Sequence, residues 1–203
     1  MKSINRYFLL FVIALVSHRS FSQTATAAMN YLHTPASLSF NNTPYALAWS
    51  AHPNASYYKQ EYLPKGETLN KFTNMLLLEV LVSPTTIKEA IAAKIAELKQ
   101  MKAANPYVSY DSSYNAAKDE YILHFVLTAN TPDGKGISIA ERNVYRYKKY
   151  SGKNGETGVI LFGASKRSYG AEAAKFVAAA GAKKEELIKA VKEFGIPAIE
   201  VGK

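Results

Sequence analysis

The run Met75–Val82 (MLLLEVLV) constrains the fold more than any other stretch of the chain. Read as a strand, it puts Leu76, Leu78, Val80 and Val82 on one face and Met75, Leu77, Glu79 and Leu81 on the other. A strand that is apolar on both faces must lie inside a sheet with cover above and below. Glu79 is the one polar residue in it, and an unpaired buried carboxylate costs several kcal/mol or takes up a proton. It therefore needs an ion-pair partner, for which Arg142, Arg146 or a lysine on a neighbouring strand is the natural candidate, or it marks where that face meets water.

The flanking sequence predicts what surrounds this strand. Tyr57–Leu63 alternates mixed side chains on both faces, as a partly exposed strand does, and Pro64-Lys65-Gly66 turns the chain back. After Ser83-Pro84, the residues Ile87, Ile91, Ile95, Leu98 and Met101 recur at helical period, predicting an amphipathic helix over about 85–103. Short β candidates precede these at 37–40 and 45–50, separated by Asn41-Asn42-Thr43-Pro44. Further strands are predicted at about 107–115, 119–130, 137–150 and 156–166, joined by turn-forming segments. From about Gly170 the composition is helical, interrupted at Gly181 and ended by Gly195-Ile196-Pro197. The expected fold class is α+β: an antiparallel sheet of about six or seven strands, with one long amphipathic helix and a C-terminal helix packed on it.

The first 22 residues read as a signal peptide. Lys2 and Arg6 precede the apolar run Tyr7–Val16, and Ser20-Phe21-Ser22 offers small residues before a cut ahead of Gln23. That run is too short for the roughly 20 residues that span a bilayer, so no integral membrane span is expected after cleavage. Residues 23–203 are read as a single domain, exported to the periplasm or the extracellular space. The chain has no cysteine, and a domain of this length buries enough surface to fold without disulfides. Removing 1–22 takes away Lys2, Arg6 and Arg19 and no acid, so the net charge falls from +9 to +6. This mild excess is spread over the chain where a nucleic-acid binder concentrates its charge on one face, so no nucleic-acid partner is expected; it fits weak attraction to an anionic envelope polymer, or contact with another envelope protein.

Few chemistries are signalled. His33, His52 and His124 are far apart in a chain without cysteine, so no metal site is expected, and neither a phosphate loop nor any other cofactor motif occurs. No residue is assigned as catalytic. The candidate ligand-binding residues are Glu79 and, from the basic-aromatic strand ERNVYRYKKY, Arg142, Tyr145, Arg146 and Tyr147. On that strand Arg142 and Arg146 share one face, Tyr145 and Tyr147 the other. The expected function is a non-enzymatic binding or envelope-associated module. The alternative is a hydrolase using carboxylates such as Glu79 and Glu141, which would require a second acid near Glu79.

The run EYLPKGETLNKFTNMLLLEV (Glu61–Val80) resembles a pattern found in small exported bacterial proteins of uncharacterised function. Its elements are a tyrosine, a Pro-x-Gly turn followed by an acid, then an aromatic residue and a methionine before a strand. ERNVYRYKKY and GVILFGASKRSYG are similar to the paired strands that end near an arginine in the same group. Phe72 stands where that group often has tryptophan. The resemblance covers about Tyr57–Tyr169 and implies an exported α+β domain; it brings no activity and no catalytic residue.

Overall fold

The computed structural model describes residues 28–179 and 183–201. The predicted signal peptide, its cleavage point and the helix interruption at Gly181 lie outside the described residues.

The chain forms one antiparallel sheet from β1 (Ser37–Phe40), β2 (Thr43–Asn54), β3 (Tyr57–Pro64), β4 (Asn74–Val82), β5 (Ser109–Asn115), β6 (Glu120–Asn130), β7 (Ile137–Ser151) and β8 (Thr157–Tyr169). The helices are α1 (Ile87–Ala104), α2 (Ala171–Ala178) and α3 (Lys184–Glu193). The order across the sheet is β1-β2-β3-β4-β8-β7-β6-β5, so two four-strand meanders meet along a β4–β8 seam. The two most apolar strands of the sequence, β4 and β8, thus lie at the centre. This corrects the expected six or seven strands with one long amphipathic helix and a C-terminal helix: there are eight strands and, among the described residues, three short helices.

The edge strand β1, the short β candidate at 37–40, has a local cause. Asn41 and Asn42 both hold positive φ (49° and 60°), the geometry of a tight hairpin whose twist matches the strands it joins. That turn sets Phe40 against Thr43 and adds the four-residue β1 to the edge. At the C-terminus the helical stretch from about Gly170 forms two short pieces, α2 and α3, as its interrupted sequence pattern predicts, where the fold class counted a single C-terminal helix.

The two faces of the sheet are covered differently. On the first, Tyr58, Tyr62, Leu76, Leu78, Val80, Val144, Ile160 and Phe162 pack against Leu187, Ile188 and Val191 of α3, with Phe194, Ile196, Ile199 and Val201 of the C-terminal tail and Leu32 from the N-terminal side. Fully buried Gln60 clamps that N-terminal segment, accepting from the Leu32 N–H at 2.7 Å and donating to the Tyr62 hydroxyl at 2.8 Å. The tail is held in turn, the Glu200 N–H donating to the Leu32 carbonyl at 3.1 Å.

On the second face, Ile87, Ile91 and Leu98 of α1 pack on Leu77, Leu123, Phe125, Leu127, Tyr147, Val159 and Leu161. The helix starts at a capping box: Thr86 accepts from the Glu89 N–H at 3.2 Å, and the Glu89 carboxylate accepts from the Thr86 N–H at 2.8 Å. Further along this face lies the 65–73 loop. Its Glu67 accepts from the Thr73 and Asn74 N–H groups, and its buried Phe72 sits under the Arg167 guanidinium, 3.8 Å from the ring centre.

Candidate ligand-binding face

Between α1 and the 65–73 loop, the second face carries polar side chains from five strands. The register fixes which ones. Lys59 of β3 stands opposite Glu79 of β4, Tyr57 opposite Leu81, and Glu61 opposite Leu77. Trp49 of β2 stands opposite Glu61. On the far side of β8, Tyr145 stands opposite Gly163 and Glu141 opposite Arg167. Residues opposite one another in a ladder point to the same side of the sheet, so Trp49, Tyr57, Lys59, Glu61, Glu79, Glu141, Tyr145 and Arg167 share one surface.

Glu79 is its buried centre. Its Oε1 lies 3.8 Å from Lys59 Nζ, the Tyr57 hydroxyl donates to the carboxylate, and Oε2 has no hydrogen-bond partner among the described residues. Burial pushes the Glu79 carboxyl above its ordinary range, and Lys59, Tyr57 and Lys94 only partly oppose that rise. Lys59 also pairs with Glu61 at 3.0 Å. Burial alone would lower the Lys59 ammonium, but the Glu79 and Glu61 charges outweigh it and hold the ammonium above its usual value. The phenols of Tyr57, Tyr145 and Tyr147 are all raised, first by burial and then by the Glu79 charge. The surface thus keeps its tyrosine hydroxyls neutral around a carboxyl that burial holds above its ordinary range.

The rim is more open. Trp49 is 39% exposed, and the Lys59 ammonium lies 5.8 Å from the centre of its ring system. Glu141 and Arg167 form a close pair, Nε–Oε2 2.6 Å. Tyr145 lies across Gly163: a Cβ there would stand 2.8 Å from the ring and 3.3 Å from Leu77 Cβ, so the missing side chain leaves the space the tyrosine ring fills.

Strand alternation separates the residues predicted from the sequence. Glu79, Tyr145 and Tyr147 lie on this face, whereas Arg142 and Arg146 lie on the opposite one, and Glu79 takes a lysine as its partner. Arg146 is buried at the end of α3, where Nη1 donates to the Val191 and Lys192 carbonyls and Nη2 to the Phe194 carbonyl, at 2.8–3.0 Å. It occupies the unpaired carbonyls that every helix C-terminus leaves. Arg142 is 1% exposed, with its guanidinium 4.8 Å from the Phe176 ring centre of α2. On the same face, buried His124 meets Asp111 at 3.1 Å, and Asp111 also meets Lys184 at 2.9 Å.

Sequence reasoning missed Trp49, Tyr57, Lys59, Glu61 and Arg167 as members of this surface. Lys59 and Glu61 were visible as alternate charged residues on the strand before Met75–Val82, and only the hairpin register sets Lys59 against Glu79. Glu61 supplies a second acid on the same ammonium as Glu79; Glu141, the acid named from the sequence, is engaged by Arg167. Among the described residues, no group of three or more His, Asp or Glu is placed to hold a metal ion, and no helix is long and apolar enough to cross a membrane.

A family model for uncharacterised bacterial proteins matches residues 32–196. No curated protein and no solved structure matches the chain.

Proposed function

The chain belongs to this uncharacterised bacterial family, and we propose that it is an exported, non-enzymatic binding module. Its ligand is a polar envelope polymer or a polar segment of another envelope protein, taken on the sheet face between α1 and the 65–73 loop. The observation that carries this reading is the arrangement around Glu79: a buried carboxyl and neutral tyrosine hydroxyls, flanked by a half-exposed tryptophan and the Lys59 ammonium. A flat aromatic surface beside directed donors and acceptors is what a polyhydroxylated chain needs, because its C–H faces stack while its hydroxyls bond. Lys59 bridges two acids and ties the buried carboxyl to the open rim of the face.

Export rests on the basic n-region, the apolar run Tyr7–Val16 and the small residues before Gln23. The Tyr62-Leu63-Pro64-Lys65-Gly66-Glu67 turn is, in this reading, the family's mark. Gly66 takes φ +87°, and Glu67 ties the returning chain at Thr73 and Asn74, which holds Phe72 at one border of the binding face.

A hydrolase is the second reading, favoured by one observation: Glu61 and Glu79 reach the same ammonium, one of them with its carboxyl raised by burial. One titration addresses both readings. Trp49 is the only tryptophan in the chain, so its emission reports ligands at this face. Soluble glycan oligomers prepared from bacterial envelope should change that emission saturably, and Glu79→Gln should alter the affinity while no new reducing ends appear. Unchanged emission with every oligomer and envelope extract tested would overturn the binding site. Reducing ends released by the wild type and not by Glu79→Gln would replace the binding reading with the hydrolase.

A further inference from the structure

On the opposite face, a groove of about 790 Å³ runs between β5 and the C-terminal end of α3. We propose that it binds a small multivalent oxyanion, a polycarboxylate or a polyphosphate. Its size lies within the range of pockets that hold small ligands. Its walls include Ser113 and Asn115 of β5, Lys118 of the β5–β6 turn, Glu120 of β6, Arg146 of β7 and Lys192 of α3.

Arg146 carries the argument. It is 5% exposed, and both of its terminal nitrogens are committed to carbonyls at the end of α3. Its Nε finds no acceptor among the described residues. A buried guanidinium N–H without an acceptor is costly, and an anion seated in the groove can supply one. By engaging the helix-end carbonyls, Arg146 also offsets the negative end of α3, which would otherwise repel an anion there.

Two further cations from separate elements line the same groove. Lys118 and Lys192 are exposed, and neither makes an ion pair among the described residues. Glu120 is the opposing charge in the wall; it faces Lys148 at 3.8 Å, and its charge also bears on Arg146. Glu193 lies beside Lys192 and adds a second negative charge. Cations contributed from three elements suit an anion with more than one charged group, which can reach each of them where a single carboxylate has only two oxygens to offer. Such an anion would tie α3 to the β5–β6 turn.

The test is a titration of the full mature chain with citrate and with pyrophosphate, followed by the Arg146 Nε–H resonance in ¹H–¹⁵N spectra. Saturable shifts are expected with at least one probe, and Lys118→Ala with Lys192→Ala should weaken binding about tenfold. Both lysines are exposed, so the double variant keeps the fold, which the unchanged dispersion of its spectrum would verify. The tighter-binding probe assigns the ligand to the carboxylate or the phosphate class. No saturable shift with either probe up to tens of millimolar, or equal affinity in the double variant, would overturn the proposal. Trp49 lies on the other face, so its emission should not respond to either anion, and a failure here is separable from a failure of the binding face.

Discussion

Lys59 and Glu79 face one another in register across the β3–β4 hairpin, 3.8 Å apart, and Lys59 is held at the same time by Glu61 at 3.0 Å. Glu79 is the buried member and Lys59 the partly exposed one. Removing one partner of a buried pair leaves an uncompensated charge, whereas replacing both with apolar groups removes the desolvation cost. Lys59→Met should therefore destabilise the fold by about 2 kcal/mol, below the cost for a fully buried pair because Lys59 reaches solvent. Lys59→Met combined with Glu79→Leu should recover most of that loss. Urea denaturation of the wild type, both single variants and the double variant measures the coupling.

The same carboxyl predicts a pH dependence. Its folded-state pKa lies above the unfolded value, so between the two the folded state holds the extra proton. The stability this contributes is present below the unfolded pKa and is lost as pH rises through the raised one. Glu79→Gln should remove that fall, seen as a flatter plot of stability against pH above about 4.5.

His124 works in the opposite direction. Burial first, then Lys184 and Arg142, push its pKa below the ordinary histidine value, and Asp111 opposes them. Its stabilising contribution is present above the unfolded pKa of about 6.5 and is lost as pH falls through the lower folded value. Thermal unfolding of His124→Gln should lack this component of the decline between neutral and mildly acidic pH. An identical decline in the variant would mean that other groups carry it.

Arg146 closes the end of α3 through three carbonyls. Arg146→Met should cost about 2–4 kcal/mol, since hydrogen bonds from a charged donor contribute about 1.5–3 kcal/mol each and their effects overlap. The loss should concentrate at the C-terminus: hydrogen exchange of the α3 amides and of the Glu200 N–H should accelerate, while β3 and β4 stay protected.

Gly163 should be intolerant of even one methyl. Gly163→Ala would press on the Tyr145 ring and Leu77 Cβ, at an expected cost of about 1–3 kcal/mol.

The central strands were legible because their signal is local. A run such as Met75–Val82 can only be buried on both faces, and it lies at the seam. The edge strand at 37–40 was visible only as a short β candidate and fell outside the expected count of six or seven, because so short a segment is held as a strand by the turn that Asn41 and Asn42 close. At the candidate site, alternation alone separated Tyr145 and Tyr147 from Arg142 and Arg146. A lysine on a neighbouring strand was among the expected partners of Glu79, but that it is Lys59 was hidden, since it depends on how many residues the β3–β4 connection holds. The carbonyls that Arg146 binds were hidden for a related reason: no pattern in β7 tells where a helix some forty residues later will end.

The β4–β8 seam has a consequence for how the molecule assembles. Apart from that pairing, every ladder in the sheet joins strands adjacent in sequence, so each meander is built from short loops that close quickly. The seam alone brings together segments separated by α1 and three strands, and its loop-closure entropy must be met before any of its contacts can contribute. Joining the two meanders is therefore expected to be the slow event of folding. A substitution at Leu78 or Phe162, opposite one another across the seam, should change the folding rate more than an equally destabilising substitution in β2 or β5.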